Sequence, residues 1–255
     1  MAVMTESKWY IITTPKRIIT LDTLQLLLDN TCEDYVIGEE VGGITGYEHY
    51  QIKVCLKADV DYNRANLMAG LHGSHWEQAR TRDYTYCEKE GKFWRSWEKP
   101  LWKYLDLQLR EWQKDVIRML RNQGERRITV VVDKKGNTGK SYLTKYLQAH
   151  HIAESIPTMD NHKDIMRVAM SKKYAKGYIV DIPRAMKPTG AFWGAMEDIK
   201  NGHLWDDRYN FKERWIDPPT LLVFTNEVPN SKFLSSDRWD IYEVGGEGGE
   251  PNSSA

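Results

Sequence analysis

Tyr86 and Lys89 stand three residues apart in the stretch YCEK. A tyrosine hydroxylate can attack phosphorus when a metal ion polarises the phosphodiester and a cation balances the developing charge. On a helix, residues three apart share a face, so Lys89 can act beside Tyr86. Tyr84, two residues away, points elsewhere. A metal set for this chemistry lies upstream. His49 and Gln51 fall on one face of the alternating run HYQIKVCLK, and Glu40 closes the preceding run DYVIGEE. A carboxylate, an imidazole and an amide oxygen suit Mg²⁺ or Mn²⁺ rather than zinc. Spacing alone leaves blander readings open. His49 and Gln51 also suit a solvated strand face, and many tyrosines are half-buried on helices.

A second chemistry is written in GNTGKS, residues 136–141, between an apolar run and a helical one. Gly136, Asn137, Thr138 and Gly139 can wrap their N–H groups around phosphates. Lys140 would reach the terminal phosphates, and the Ser141 hydroxyl would ligate Mg²⁺. The loop opens on Asp133 in place of the motif's usual first glycine. Two later apolar runs end on polar residues. Asp181 closes YIVD, where a carboxylate could hold Mg²⁺ through water. Asn226 closes LLVFTN, where an amide could contact the γ-phosphate or the attacking water. Each alone is more often a plain strand end; together, in this order downstream of the loop, they favour an NTPase. Arg238, in SSDRW, is either an arginine finger reaching a neighbouring subunit or a surface ion-pairing arginine.

These residues need elements to position them. Strands are predicted over 8–14, 34–40, 49–57 and 75–78, and helices over 21–30, 61–71 and 80–90. The interleaving suits an α+β sheet domain. The tryptophan-rich segment 93–107 reads as an inter-domain connector, followed by a helix over about 107–122. From Arg126 the pattern switches from apolar strand to glycine turn to helix, the opening of an α/β domain. GYIVDIPR and TLLVFTN are further buried strands. The final stretch, GGEGGEPNSSA, has the composition of a disordered tail.

The whole chain has 255 residues and no net charge, with 36 basic and 36 acidic side chains. A uniformly basic nucleic-acid surface is therefore excluded. Any DNA contact has to come from a metal ion, local patches or several subunits together. No apolar run approaches the roughly 20 residues that span a bilayer. MAVMTESKWY lacks the pattern of a signal peptide. Three cysteines suit neither a disulfide framework nor a zinc site, so a reducing compartment is expected.

Taken together, the motifs resemble those of the replication-initiator (Rep) proteins of small circular single-stranded DNA viruses, in the circovirus, nanovirus and alphasatellite neighbourhood. The resemblance covers about residues 8 to 240. VIGEE…HYQ is similar to their metal motif in its His-hydrophobe-Gln form, and YCEKEG to their Tyr-x-x-Lys nicking motif; HWEQAR also resembles the family. GNTGKS, VDIPR, IKNGHLWDDRYNFKERW and FTN resemble the four ordered motifs of superfamily 3 helicases. The resemblance implies an endonuclease domain over 1–95 of His-hydrophobe-His type, with a five-stranded antiparallel sheet and flanking helices. A linker and oligomerisation region over 96–122, a P-loop AAA+-like helicase domain over 123–243 and a tail over 244–255 would follow. It implies that Glu40, His49 and Gln51 bind Mg²⁺ or Mn²⁺. Tyr86 would cut the origin strand and stay linked to its 5′-phosphate, with Lys89 at the scissile phosphate. The second domain would form a ring, expected to be hexameric, that uses ATP with Mg²⁺ to move on single-stranded DNA. Lys200 and Lys212 fall in the region thought to contact DNA. An origin hairpin, host replication proteins, the host nucleus and the absence of a membrane complete the implied setting. YIITTP departs from the family's first motif, leaving the roles of Thr13 and Thr14 open. Ile182 stands where a second acid often follows Asp181. Two other readings remain open: an ATPase whose first domain only binds nucleic acid, and a non-enzymatic stacking module.

Overall fold

The computed structural model describes residues 7–43, 46–172 and 175–245. Most of the expected tail, and the first six residues of the chain, lie outside the described residues. Two units divide between Pro100 and Leu101, within the stretch 96–122 expected as a linker. Among the described residues no helix is long and apolar enough to cross a membrane.

The first unit is built on β1 (Trp9–Pro15), β2 (Cys32–Val41), β3 (Glu48–Leu56), β4 (His75–Gln78) and β5 (Phe93–Arg95), ordered β4-β1-β3-β2-β5. Every neighbouring pair is antiparallel. Two helices, α1 (Leu21–Thr31) and α2 (Val60–Gly70), cover one face. Thr20 caps α1 by accepting from the Thr23 N–H. Ile52, Val54 and Leu56 alternate toward that face and pack with Leu24, Leu28 and Leu67. Each such side chain contributes about 1.5–3 kcal/mol on burial. The same alternation puts His49, Gln51 and Lys53 on the opposite face. Helix packing on one face thus fixes which residues occupy the other.

Two expectations need correction here. The helix predicted over 80–90 is a single 3₁₀ turn, Thr85–Glu88. Tertiary contacts override its helical pattern. Lys53, buried within the sheet face, donates to the Asp83 carbonyl at 2.5 Å and the Thr81 hydroxyl at 3.2 Å. The Tyr84 ring packs between Trp9 and Trp97. Residues i and i+3 eclipse on a 3₁₀ turn, so Tyr86 and Lys89 still meet. The segment predicted as connector from 93 begins instead with β5, which pairs with β2 from Gly38 to Val36.

A short helix, α3 (Lys99–Trp102), lies at the division. The second unit then runs α4 (Glu111–Arg121), β6 (Ile128–Val132), α5 (Lys140–Ala149), β7 (Glu154–Ser155), α6 (His162–Ser171), β8 (Gly177–Asp181) and α7 (Gly190–Lys200). After these come β9 (His203–Asp206), β10 (Lys212–Trp215), β11 (Thr220–Thr225) and β12 (Trp239–Glu243). Five strands form a parallel sheet in the order β12-β6-β11-β8-β7. The continuous apolar runs of β6, β8 and β11 follow from burial on both faces. Val116, Leu120, Leu143 and Leu147 of α4 and α5 pack against one face. Ile165, Met166, Phe192 and Trp193 of α6 and α7 pack against the other. β9 and β10 form a separate antiparallel hairpin.

Candidate functional site

The polar face of the first sheet carries one constellation. Glu40 and His49 are direct cross-strand partners on β2 and β3. Gln51 lies two residues along β3, opposite Gly38, and accepts from the Thr13 hydroxyl at 3.0 Å. Thr13 thereby joins the site, which the sequence left open; Thr14 is buried on the other face beside Ser74. Lys89 Nζ sits 2.8 Å from Glu40 Oε2 and 4.1 Å from the centre of the Tyr86 ring. Burial opposes the Lys89 charge, but the Glu40 carboxylate and Tyr86 hydroxyl outweigh it and raise its pKa. Tyr86 is 53% exposed, so it is open to a substrate. Tyr84 is its opposite: its hydroxyl is buried and without a partner, and burial raises its pKa.

Two details bear on how this set could receive a divalent ion. The His49 Nδ1 lies 3.1 Å from the Tyr47 carbonyl, which can only accept, so Nδ1 carries the hydrogen. The Nε2 lone pair then faces Glu40 Oε2 at 3.6 Å. The same Glu40 oxygen is paired with Lys89, so a cation already stands at this edge of the set. The other carboxylate oxygen, Glu40 Oε1, is buried with no hydrogen-bond partner, an arrangement that costs about 1–3 kcal/mol or more if left so. Among the described residues no group of three or more His, Cys, Asp or Glu side chains is placed to hold a metal. A metal ion held by Glu40 and His49 would need the Gln51 amide as a third ligand.

Gly38 is a positioning residue that the sequence did not reveal as one. A Cβ there would fall 2.0 Å from the Cys87 carbonyl oxygen. Only glycine lets the turn bearing Tyr86 lie directly on β2. Gly38→Ala should slow strand cleavage by about 10²-fold, because displacements of an ångström at a reacting group cost that much. It should also lower stability by about 1–3 kcal/mol. Cleavage at the native rate would show that the turn does not need this contact.

In the second unit, β11 lies between β6 and β8, so three strand ends converge at one edge of the sheet, where open α/β sheets bind ligands. Gly136, Asn137 and Gly139 take positive φ values of 79°, 57° and 104°, curling the loop between β6 and α5. Lys140 and Ser141 open α5 at its N-terminus, where free N–H groups favour anions. Lys140 Nζ lies 3.2 Å from Asn226 Oδ1 and 3.6 Å from Asp133 Oδ2. Burial raises the Asp181 pKa against the pull of Lys140. The loop, Asp181 and Asn226 are thus one cluster.

Asp133 has a role of its own. The spacing G-x-x-x-x-G-K-[ST] places Lys134, not Asp133, at the missing first glycine. Asp133 is completely buried beneath the loop. It accepts from the Gly136 N–H at 2.8 Å and the Thr138 hydroxyl at 2.7 Å. Burial pushes its carboxyl up, but these bonds and Lys140 outweigh it and hold the pKa below the ordinary range. The carboxylate organises the loop from below.

Two other assignments are corrected. Lys200, expected at DNA, is 1% exposed; its ammonium bonds Gln123 Oε1 and the Pro219 carbonyl, both at 2.9 Å. Arg238, expected to reach a neighbouring subunit, is 3% exposed. Its guanidinium pairs with Glu197 and Asn201, both at 2.9 Å, because SSDR forms a 3₁₀ turn that carries it under the end of α7. Lys212 remains exposed on β10.

Burial lowers the Lys200 pKa from 10.5 to about 8. The native state therefore holds fewer protons than the unfolded chain between those values, and the site's contribution to stability rises with pH across them. The difference in unfolding free energy between the native chain and Lys200→Met should climb by roughly 3 kcal/mol from pH 7 to 11. A flat difference would mean that the ammonium is solvated.

No protein-family model matches the chain. Known proteins do align with it. It is 28% identical over 133 residues to the master replication protein of milk vetch dwarf virus, covering 52% of this chain and 45% of that one. The figures are the same for the master replication protein of faba bean necrotic yellows virus. That of subterranean clover stunt virus is 27% identical over 132 residues. The chain is similar to viral master replication proteins. The aligned part spans about half the length of these curated relatives.

Proposed function

We propose that this chain initiates rolling-circle replication by nicking and rejoining single-stranded viral origin DNA, and that it unwinds DNA with ATP. The observation that carries the reading is the meeting of Tyr86, Lys89, Glu40 and His49 on one sheet face. The similarity to master replication proteins supports it.

In this reading the Tyr86 oxygen attacks the scissile phosphorus. The bond from phosphorus to the 3′-oxygen breaks, and the strand leaves with a 3′-hydroxyl that takes up the tyrosine's proton. The 5′-phosphate stays on Tyr86. One phosphodiester replaces another, so a returning 3′-hydroxyl can reverse the step and close the circle. Glu40, His49 and Gln51 would hold Mg²⁺ or Mn²⁺, which polarises the phosphodiester when bound. Lys89 offers a point charge to the phosphate oxygens. Loop 136–141, Asp181 and Asn226 would bind ATP with Mg²⁺. A homo-oligomeric ring, expected to be a hexamer, action in the host nucleus and contact with host replication proteins belong to the same proposal.

The β9–β10 hairpin fits a single-strand contact. Tyr209 is fully exposed at its turn, Phe211 and Trp215 are exposed, and His203 stacks on Trp215 at 4.4 Å. Trp215→Ala should weaken single-strand binding by about 1–3 kcal/mol. Lys212→Ala should reduce the salt slope by about 0.7. Unchanged affinity and slope in both would remove the hairpin from the DNA path.

The deciding experiment incubates the chain with a labelled single-stranded hairpin origin and either divalent ion. A covalent DNA–protein adduct that disappears with EDTA supports the reading. ATP hydrolysis without any adduct would mark an ATPase whose first unit only binds nucleic acid.

A further inference from the structure

The expected arginine finger is inside the unit, yet another guanidinium lies against the phosphate loop. Arg184 follows β8 by three residues, in DIPR. Its Nη2 donates to the Lys134 carbonyl at 3.2 Å and lies 3.1 Å from where a Cβ on Gly136 would stand. Gly136 is a loop residue at φ 79°, so this arginine occupies the space that a side chain there would fill. Arg184 also lines a cavity of about 200 Å³ together with Asn226, Ile182 and Thr225. It therefore borders both the loop and the cavity that Asn226 shares. The partner it meets there is a carbonyl rather than a carboxylate, so its charge is not neutralised at that contact.

We propose that Arg184 is the charge-stabilising arginine of the nucleotide site, acting within its own chain. The inference rests on the reading of GNTGKS as an ATP site. In hydrolysis a water oxygen attacks the γ-phosphorus. The bond from that phosphorus to the β–γ bridging oxygen breaks, and ADP leaves with the electron pair. The water's proton passes to the released phosphate or to solvent. Negative charge gathers on the departing and equatorial oxygens. A planar guanidinium with several N–H donors matches those oxygens as a single ammonium does not. Lys140 serves the phosphates from the helix side, and Arg184 closes the loop from the β8 side.

The experiment measures ATP turnover, ADP affinity and binding of ADP with aluminium fluoride in the full chain, with and without single-stranded DNA. Arg184→Ala should lower turnover by about 10³-fold and lose the tight aluminium fluoride complex, with ADP affinity within about threefold of native. Arg184→Lys should recover less than about a tenth of the native rate. The side chain is exposed, so thermal unfolding should match the native chain and separate this loss from misfolding. Mixing Arg184→Ala with Lys140→Ala subunits should restore nothing, since no single chain then holds both groups. Recovery on mixing would make the arginine act between subunits and overturn the proposal. So would near-native turnover in Arg184→Ala, or an equal loss of ADP binding, while Lys140→Ala is inactive. Native hydrolysis in Lys140→Ala would instead overturn the nucleotide-site reading, and this inference with it.

Discussion

Tyr86→Phe loses strand cleavage by roughly 10³-fold or more while ATP hydrolysis continues at the native rate. This is the expected result because in the proposed reaction the phenol oxygen bonds to phosphorus, and the ring alone cannot replace it. The substitution removes no buried contact, since Tyr86 is half exposed. The nucleotide loop belongs to the other unit, so its activity is an internal control for folding. Tyr84→Phe provides the contrast. That hydroxyl is buried without a partner, so its removal should leave both activities intact. Gel assays for the covalent adduct would decide the matter. Efficient cleavage by Tyr86→Phe, or loss confined to Tyr84→Phe, would sink the assignment. Dependence on zinc rather than Mg²⁺ or Mn²⁺ would count against Glu40, His49 and Gln51 as an oxygen-rich set.

Lys140→Ala should produce the reverse separation. Its ammonium bonds Asn226 and neighbours Asp133, so it stands at the meeting point of the three strand ends. Without it, phosphate charge loses its main cation, and hydrolysis and unwinding should fall to background. Metal-dependent cleavage of DNA that is already single-stranded should persist, because no step at Tyr86 consumes a nucleotide. Phosphate release and strand cleavage measured on one preparation would give both answers. Unchanged hydrolysis would reduce GNTGKS to a turn.

Much of this arrangement is legible in the sequence. The alternation of β3 correctly separated Ile52, Val54 and Leu56 from His49 and Gln51, because a one-sided helix layer enforces period two. The strand–loop–helix pattern around Lys140 was equally clear, since parallel strands buried on both faces read as unbroken apolar runs. What stayed hidden depends on contacts distant in sequence. The 3₁₀ turn of Tyr86 is held by Lys53, some thirty residues upstream, and a helical pattern carries no trace of that. β5 is short and aromatic, and it looked like a connector until paired with β2. The resemblance sets Lys200 at DNA, and Arg238 reads as either an arginine finger or a surface ion-pairing arginine; either role needs exposure, which is the usual state of such side chains. Their partners Gln123 and Glu197 become visible only when α7 is in place. Arg184 gave no spacing signal, although the missing second acid after Asp181 marked that turn as unusual.

The buried cysteines have one more implication. Cys32, Cys55 and Cys87 are all free and buried, and all belong to the first unit. Burial pushes the Cys32 and Cys87 thiols up to about 12, so their reactive thiolate is scarce in the native state. Alkylation must therefore wait for local opening, and its rate reports the free energy of that opening. Cys87 follows the proposed nucleophile directly, and its carbonyl rests on Gly38. Its labelling rate is thus a clock for how often the Tyr86 turn lifts from the sheet. The second unit contributes no thiol to the signal, so the clock reads the first unit alone.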